Sequence, residues 1–563
     1  MSSILSIDGM KVVPTVPASM AVVVEPGTIV WKGGHTTVLT DPVTLQVQSA
    51  GTRSFMDHAY RMRGEAEKLP AYWNGESIRG SGGAPYQRMA PGKLAVYDES
   101  RTTLYEESRD YVTDWYWGTI KRNREGAIAD DQLLSIDYQV LLCRYDAVVI
   151  GRDGLLRIVR GSEEAPESRE LLLPDPPDVQ DGCVLAHLFI GWGVNAIHDG
   201  DAHAHDPSGT LAPIRVRGRY RDMIPRTYYV RLEQAGEQVT ANRSIRPAMI
   251  RMGATGEEYG TGIDRTRETL IWTEPRTFDR HEPIPLLTQS AYDFPVDWGL
   301  LLDWSQAECE IPVDRALEIS VTAYPHAIFD MRQVSSEPEA LVTVRNPGAA
   351  ARLKAKLTAG ETVRIAYFGE STTRSGRWPY LVARNLERMY PQASVVTSNV
   401  AVGGESSLRG IERLESDVLK ANPDFVFIEY MLNDVCTGES DRVMECMDKI
   451  VTRILAFGAE CAIVTVNGMN PQFHSYGSAR SFRSCHDRLL DLAERYGIGF
   501  AGGYAYFERL HEFGLYFLTE LKGNMVNHPW GNVDRGWGRF DDILAGGIQR
   551  LWHDGTVRKE WTE

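Results

Sequence analysis

Four short segments in the last third of the chain carry residue types that can do chemistry together. Gly369-Glu370-Ser371-Thr372-Thr373 offers a serine hydroxyl, and Asn399-Val400-Ala401-Val402-Gly403-Gly404 a glycine turn whose amides can approach a ligand. Asn433-Asp434 offers a side-chain amide, and Asn527-His528-Pro529 an imidazole. A hydroxyl beside a histidine base is a nucleophile, and N–H groups converging on one point stabilise an oxyanion. These are the parts of acyl transfer through a serine ester. Each also has a plainer reading. Ser371 can cap the helix that follows, Asn433 can close an Asx-turn, the glycines can serve only a tight turn, and His528 can lie on a surface loop.

The elements around these segments explain why their order matters. Residues 349–357 read as a helix, and 363–369 is an apolar run ending in glycine, as in a buried strand. Beyond it we expect helix 378–390, strand 394–402, helix 406–421, strand 424–430, helix 440–457, strand 461–467, helix 478–496, strand 498–501 and a last helix over 540–552. Leu408, Ile411, Leu414 and Val418 fall on one face of the third helix in this run. Strands alternating with helices imply a parallel sheet covered on both faces, with ligands at the carboxyl ends of its strands. The serine, glycine and asparagine segments each follow a strand.

Residues from about 350 to 555 resemble the SGNH (GDSL-type) hydrolases, a flavodoxin-like family of esterases, lipases and carbohydrate deacetylases. The segment at 369–373 resembles the family's Gly-Asp-Ser block, with Glu370 in place of the aspartate, and implies Ser371 as nucleophile. The resemblance further implies an oxyanion hole built from the N–H of Ser371, the N–H of Gly404 and the side chain of Asn433. Met431 and Leu432 stand where the family has glycines. His528 is implied as the base, with no metal or organic cofactor. The family's aspartate three residues before the histidine is here Met525, so the group orienting His528 is left open between a carbonyl, Asn524 and Asp534. Of three tryptophans nearby, Trp530, Trp537 and Trp552, the first could line a sugar subsite and all three could simply pack.

The chain has 563 residues, and a formal charge of −16 from 60 lysines and arginines against 76 aspartates and glutamates. Without a basic run, a hold on nucleic acid or on anionic lipid is not expected. The length predicts several domains. Seven dispersed cysteines without a C-x-x-C pair argue against a disulfide framework or a cysteine zinc site, and most fall in apolar runs that predict core positions. No secretory signal and no membrane helix are expected from the N-terminal stretch or from any later one.

Up to about residue 345 the pattern is short alternating segments separated by Gly, Pro, Asp and Asn, the signature of antiparallel strands, with Asp153-Gly154 predicted as a hairpin turn. Within 52–135 a short helix is expected near Met56 to Lys68, and the run 198–209 reads as a loop. His203, His205 and Asp201 in that run are weak metal-ligand candidates, His203 and His205 falling on one side if the chain is extended. Residues 118–167 and 182–201 resemble β domains of bacteriophage tail fibre and baseplate proteins, through a Gly-Thr-Ile opening and an Arg-Tyr-Asp strand.

The reading is therefore multidomain. A β-rich, attachment-like region spans 1–210, a β-sandwich spacer or carbohydrate-binding module 211–347, and an α/β flavodoxin-like SGNH hydrolase domain with a parallel sheet 348–563. The expected function is a virion-associated serine esterase, made in the host cytoplasm, that O-deacetylates a bacterial surface polysaccharide. Its expected partners are that O-acetylated glycan and other tail or baseplate proteins, and it is expected to be a homo-oligomer, a trimer being the default for fibres. The alternatives are a bacterial carbohydrate or lipid esterase outside any virion, and a catalytically silent glycan-binding adhesin.

Overall fold

The computed structural model describes residues 4–62, 76–77, 89–114, 119–123, 125–163, 174, 176–207, 209, 214–220, 226–234, 242–252, 269–270, 276–279, 282–289, 295–306, 317–330, 338–468, 479–512, 528 and 540–552. The chain divides into two compact units, Met1–Met331 and Arg332–Glu563.

The first unit is strand-rich, and all its paired strands among the described residues run antiparallel. Strands Arg144–Ile150 and Leu156–Val159 form the expected hairpin. Its turn has Gly154 at φ +81° and the Asp153 carboxylate accepting the Leu155 N–H at 3.1 Å. Two expectations fail here. The helix predicted near Met56 is the strand Thr52–Met62, paired along its length with Gln132–Leu141, so cross-strand bonding overrides the local pattern. Residues 63–68 of that predicted helix lie outside the described residues. The run predicted as a loop contains the strand Ala202–His205, paired with Leu317–Ala323.

The second unit is an α/β domain. Its strands are β1 (Thr343–Arg345), β2 (Thr362–Gly369), β3 (Ser394–Asn399), β4 (Phe425–Glu429), β5 (Glu460–Thr465) and β6 (Gly499–Gly502). The described helices are α1 (Ala351–Thr358), α2 (Ser371–Arg374), α3 (Trp378–Met389), α4 (Ser407–Arg413), α5 (Leu432–Thr437), α6 (Ser440–Phe457), α7 (Ala479–Tyr496), α8 (Tyr504–Glu512) and α9 (Phe540–Ile548). The sheet order is β1-β6-β5-β4-β2-β3, with β1 antiparallel to β6 and every other pair parallel.

Strands β4 and β5 are buried at every position, as strands covered on both faces must be. In α6, Val443, Met447, Ile450, Val451 and Ile454 form the buried stripe, and Gly458 at φ +96° ends the helix. The helix expected over 406–421 is shorter. After α4 the backbone widens into a π-turn over Leu414–Val418 and then tightens into a 3₁₀ turn over Leu419–Ala421. Leu414 and Val418 are still buried.

From β2 the chain crosses to β3 on one side and then to β4 on the other. The order reverses there, so a crevice opens beyond the carboxyl ends of β2 and β4.

Candidate active site

At the end of β2 the chain passes so close to β4 that side-chain size is decided by geometry. A Cβ on Gly369 would lie 2.4 Å from the Glu429 carbonyl oxygen. Glu370 then takes the N-cap position of α2 in extended conformation, making no side-chain cap bond there. Ser371 opens the helix. Its Oγ is not used for capping and lies 3.0 Å from His528 Nε2. The plainer reading of Ser371 as a cap does not hold.

Burial pushes the His528 imidazole down to about 4. At neutral pH it is uncharged, the state in which Nε2 can take a proton. Asn524, Met525 and Asp534 lie outside the described residues, as do Trp530 and Trp537. Trp552 is buried and packs edge-on to Phe427, a core role.

The glycine turn is fastened beside the serine. The Val400 and Val402 N–H groups bond to the Tyr367 and Gly369 carbonyls, each at 3.0 Å, which extends the β2 pairing past β3. The turn then swings out at Gly404, φ +73°, where an added Cβ would meet nothing within 4 Å. Glycine is required here by backbone conformation and not by crowding. Behind the turn, Glu405 is held by Arg413 Nε at 2.8 and 2.9 Å and by the Tyr430 hydroxyl at 2.7 Å. Gly410 lets α4 come against Tyr430, since a Cβ there would sit 2.4 Å from the phenol oxygen.

Asn433 is half-buried in the first turn of α5. Its Nδ2 donates to the Glu405 carbonyl at 3.1 Å, and its amide makes no other hydrogen bond among the described residues. One amide hydrogen therefore remains for a ligand, and the bond to Glu405 ties Asn433 to the residue next to Gly404. Met431 and Leu432 are fully buried, with Met431 at φ −135°, so no glycine is needed at its position.

The sequence marked Glu370 as a replacement for an aspartate but did not point to the burial of the acidic residues beneath the site. Glu370 and Glu429 are both fully buried, and Asp434 nearly so. Asp434 accepts the Ser407 N–H at 2.7 Å, and burial raises its carboxyl to about 6. For Glu429 the one available signal was an acidic residue closing the otherwise apolar run of β4.

The metal candidates are not assembled into a site. Among the described residues no group of three or more His, Cys, Asp or Glu is placed to hold a metal ion. Alternate burial along the strand puts His203 and His205 on one exposed side, as predicted, but Asp201 is engaged by His198 at 3.1 Å and His203 at 2.8 Å, and His205 is not part of that cluster. Three of the six described cysteines (Cys143, Cys183 and Cys461) are buried, and none is disulfide-bonded. No helix among the described residues is long and apolar enough to cross a membrane.

A serine bonded to a histidine at the switch point of a flavodoxin-ordered sheet defines an α/β serine hydrolase. Residues 357–511, within the C-terminal unit, match the GDSL-like lipase/acylhydrolase family. Solved structures to which the chain is similar include an acetylxylan esterase from Geobacillus stearothermophilus, at 18% identity over 35% of this chain and 97% of that one, TM-score 0.29. They also include a two-domain esterase active on acetylated mannans, at 19% identity over 38% of this chain and 55% of that one, TM-score 0.30. A third is an α/β hydrolase from the metagenome of Lake Arreo, Spain, at 16% identity over 34% and 94%, TM-score 0.28. No curated protein matched the chain.

Proposed function

We propose that this protein is a carbohydrate O-acetylesterase in which Ser371 is the nucleophile and His528 the general base. The observation that carries the reading is the 3.0 Å bond between Ser371 Oγ and His528 Nε2 at the carboxyl end of β2. His528 takes the serine proton as Oγ attacks the ester carbonyl carbon. The oxyanion is received by the N–H of Ser371, the N–H of Gly404 and the remaining Asn433 amide hydrogen. The protonated histidine then gives its proton to the departing sugar oxygen, and water releases the acyl group by the reverse route. The histidine-orienting group is assigned to no residue.

The test is acetate release from acetylated xylan and mannan and turnover of p-nitrophenyl acetate. We expect Ser371→Ala to lower turnover by about four to six orders of magnitude, in line with loss of a serine nucleophile. Equal turnover by the two proteins would sink the proposal. In the finer reading, the β-rich unit fastens the esterase to a bacteriophage tail, and the sandwich spacer or glycan-binding module expected over 211–347 is the part of that unit up to Met331, since Thr343–Arg345 joins the α/β sheet. Its support is the likeness of 118–167 and 182–201 to tail-protein β domains. Antibody detection of the chain in purified particles tests it, and particles lacking the chain would overturn it.

A further inference from the structure

Two glutamates beneath the site are laced across the sheet. Glu370 follows β2, yet its carboxyl accepts the N–H groups of Met431, Leu432 and Asn433, the start of the helix after β4, at 3.3, 2.7 and 2.7 Å. Glu429 ends β4, yet its Oε2 accepts the hydroxyls of Thr372 and Thr373, in the helix after β2, at 2.9 and 2.7 Å. Each strand end therefore holds the neighbouring strand's helix. One of those helices begins with Ser371 and the other carries Asn433.

We propose that Glu370 and Glu429 are positioning residues, a reciprocal clasp that fixes the Ser371 hydroxyl relative to the Asn433 amide. The proposal rests on the esterase reading given above.

Two carboxylates cannot both stay charged in a dry interior. Burial raises Glu429 to about 7, and burial, followed by the charges of Glu429 and Asp434, raises Glu370 as well, so the pair titrates as a unit. The three N–H groups donated to Glu370 favour the charge on that side. The Glu370 and Glu429 carboxyls also share a proton through a hydrogen bond to each other. The two ends of the clasp are thus chemically unequal, and an amide can replace only one of them. Glutamine at 429 keeps an oxygen for the threonine hydroxyls and an N–H for Glu370. Glutamine at 370 turns an amide donor toward backbone N–H groups.

The experiment compares the full-length wild type with Ser371→Ala, Glu370→Gln, Glu429→Gln and Glu429→Ala by kcat and KM on p-nitrophenyl acetate, with fluorophosphonate labelling and melting curves. Glu370→Gln should lower kcat about 10²-fold, the loss typical of one displaced oxyanion donor, with KM within about threefold. Glu429→Gln should stay within about fivefold of wild type, and Glu429→Ala should fall at least tenfold below Glu429→Gln at a temperature where both remain folded. A kcat for Glu370→Gln near wild type, equal losses in the two glutamine variants, or an effect on KM alone would overturn the clasp. If Glu370→Gln does not fold, the two position-429 variants decide alone, and equal kcat values overturn it. A wild type that neither labels at Ser371 nor loses turnover in Ser371→Ala would instead overturn the esterase reading.

Discussion

His528 is the residue on which the pH behaviour of the site turns. A histidine in water titrates near 6.5, and burial lowers this one to about 4. The group must be neutral to accept the Ser371 proton, so activity appears as pH rises through its pKa. We expect kcat/KM for p-nitrophenyl acetate to hold constant from neutrality down to about pH 5 and to fall with an acid limb near pH 4. An acid limb near 6.5 would show that the imidazolium is stabilised in solution by a neighbouring charge, and would refute the prediction. At this scale the sequence was informative where residue type alone names a chemistry, as with Ser371, Asn433 and His528. It was uninformative where type misleads. Glutamate is normally a surface residue, so Glu429 did not stand out and Glu370 did so only as a replacement within its block, although both are fully buried.

The elements were legible where an apolar run or a helical stripe left one choice. Strands β2, β4 and β5 and helices α3, α6 and α7 fall close to their expected bounds, because burial on both faces or on one stripe is written in the residues. Thr52–Met62 was misread because its partner, Gln132–Leu141, lies some 80 residues away and local spacing carries no trace of it. The helix contacts are equally non-local. Asp541 on α9 is buried and accepts the Arg377 N–H at the start of α3. Burial, with help from the charge of Asp542, raises its carboxyl to about 7. The folded state then binds this proton more tightly than the unfolded chain, whose aspartate titrates near 4. The contribution of Asp541 to stability is therefore greatest below about pH 4, declines by up to about 1.4 kcal/mol per pH unit between about 4 and 7, and is level above. Asp541→Asn keeps an acceptor for Arg377 and removes the titration. Urea midpoints at pH 5, 6 and 7 should fall more steeply for wild type than for the variant, and parallel slopes would refute the assignment.

At the scale of the whole molecule, chemistry and bulk are separate. The residues placed in the reaction, from Ser371 to His528, and the clasp beneath them belong to Arg332–Glu563, which has its own sheet and its own buried interior. Met1–Met331 contributes antiparallel sheets with separate apolar clusters, one running from Met10 to Ile328 and another from Tyr220 to Ala323. Each unit thus has a buried apolar interior of its own, the usual requirement for folding alone. A small ester needs only the crevice at the strand ends, whereas a polymer spans many sugar units and can be held at a distance from the bond that is cut. The prediction is that residues 332–563, expressed alone, melt cooperatively and turn over p-nitrophenyl acetate with a kcat within about twofold of the full chain. If the β-rich unit holds the glycan, the same fragment should show an increase of at least tenfold in KM for acetylated polysaccharide with kcat unchanged, since tethered binding raises the effective concentration of substrate at the site. Equal KM values for fragment and full chain would remove glycan capture from the role of the first unit and leave it a structural part alone.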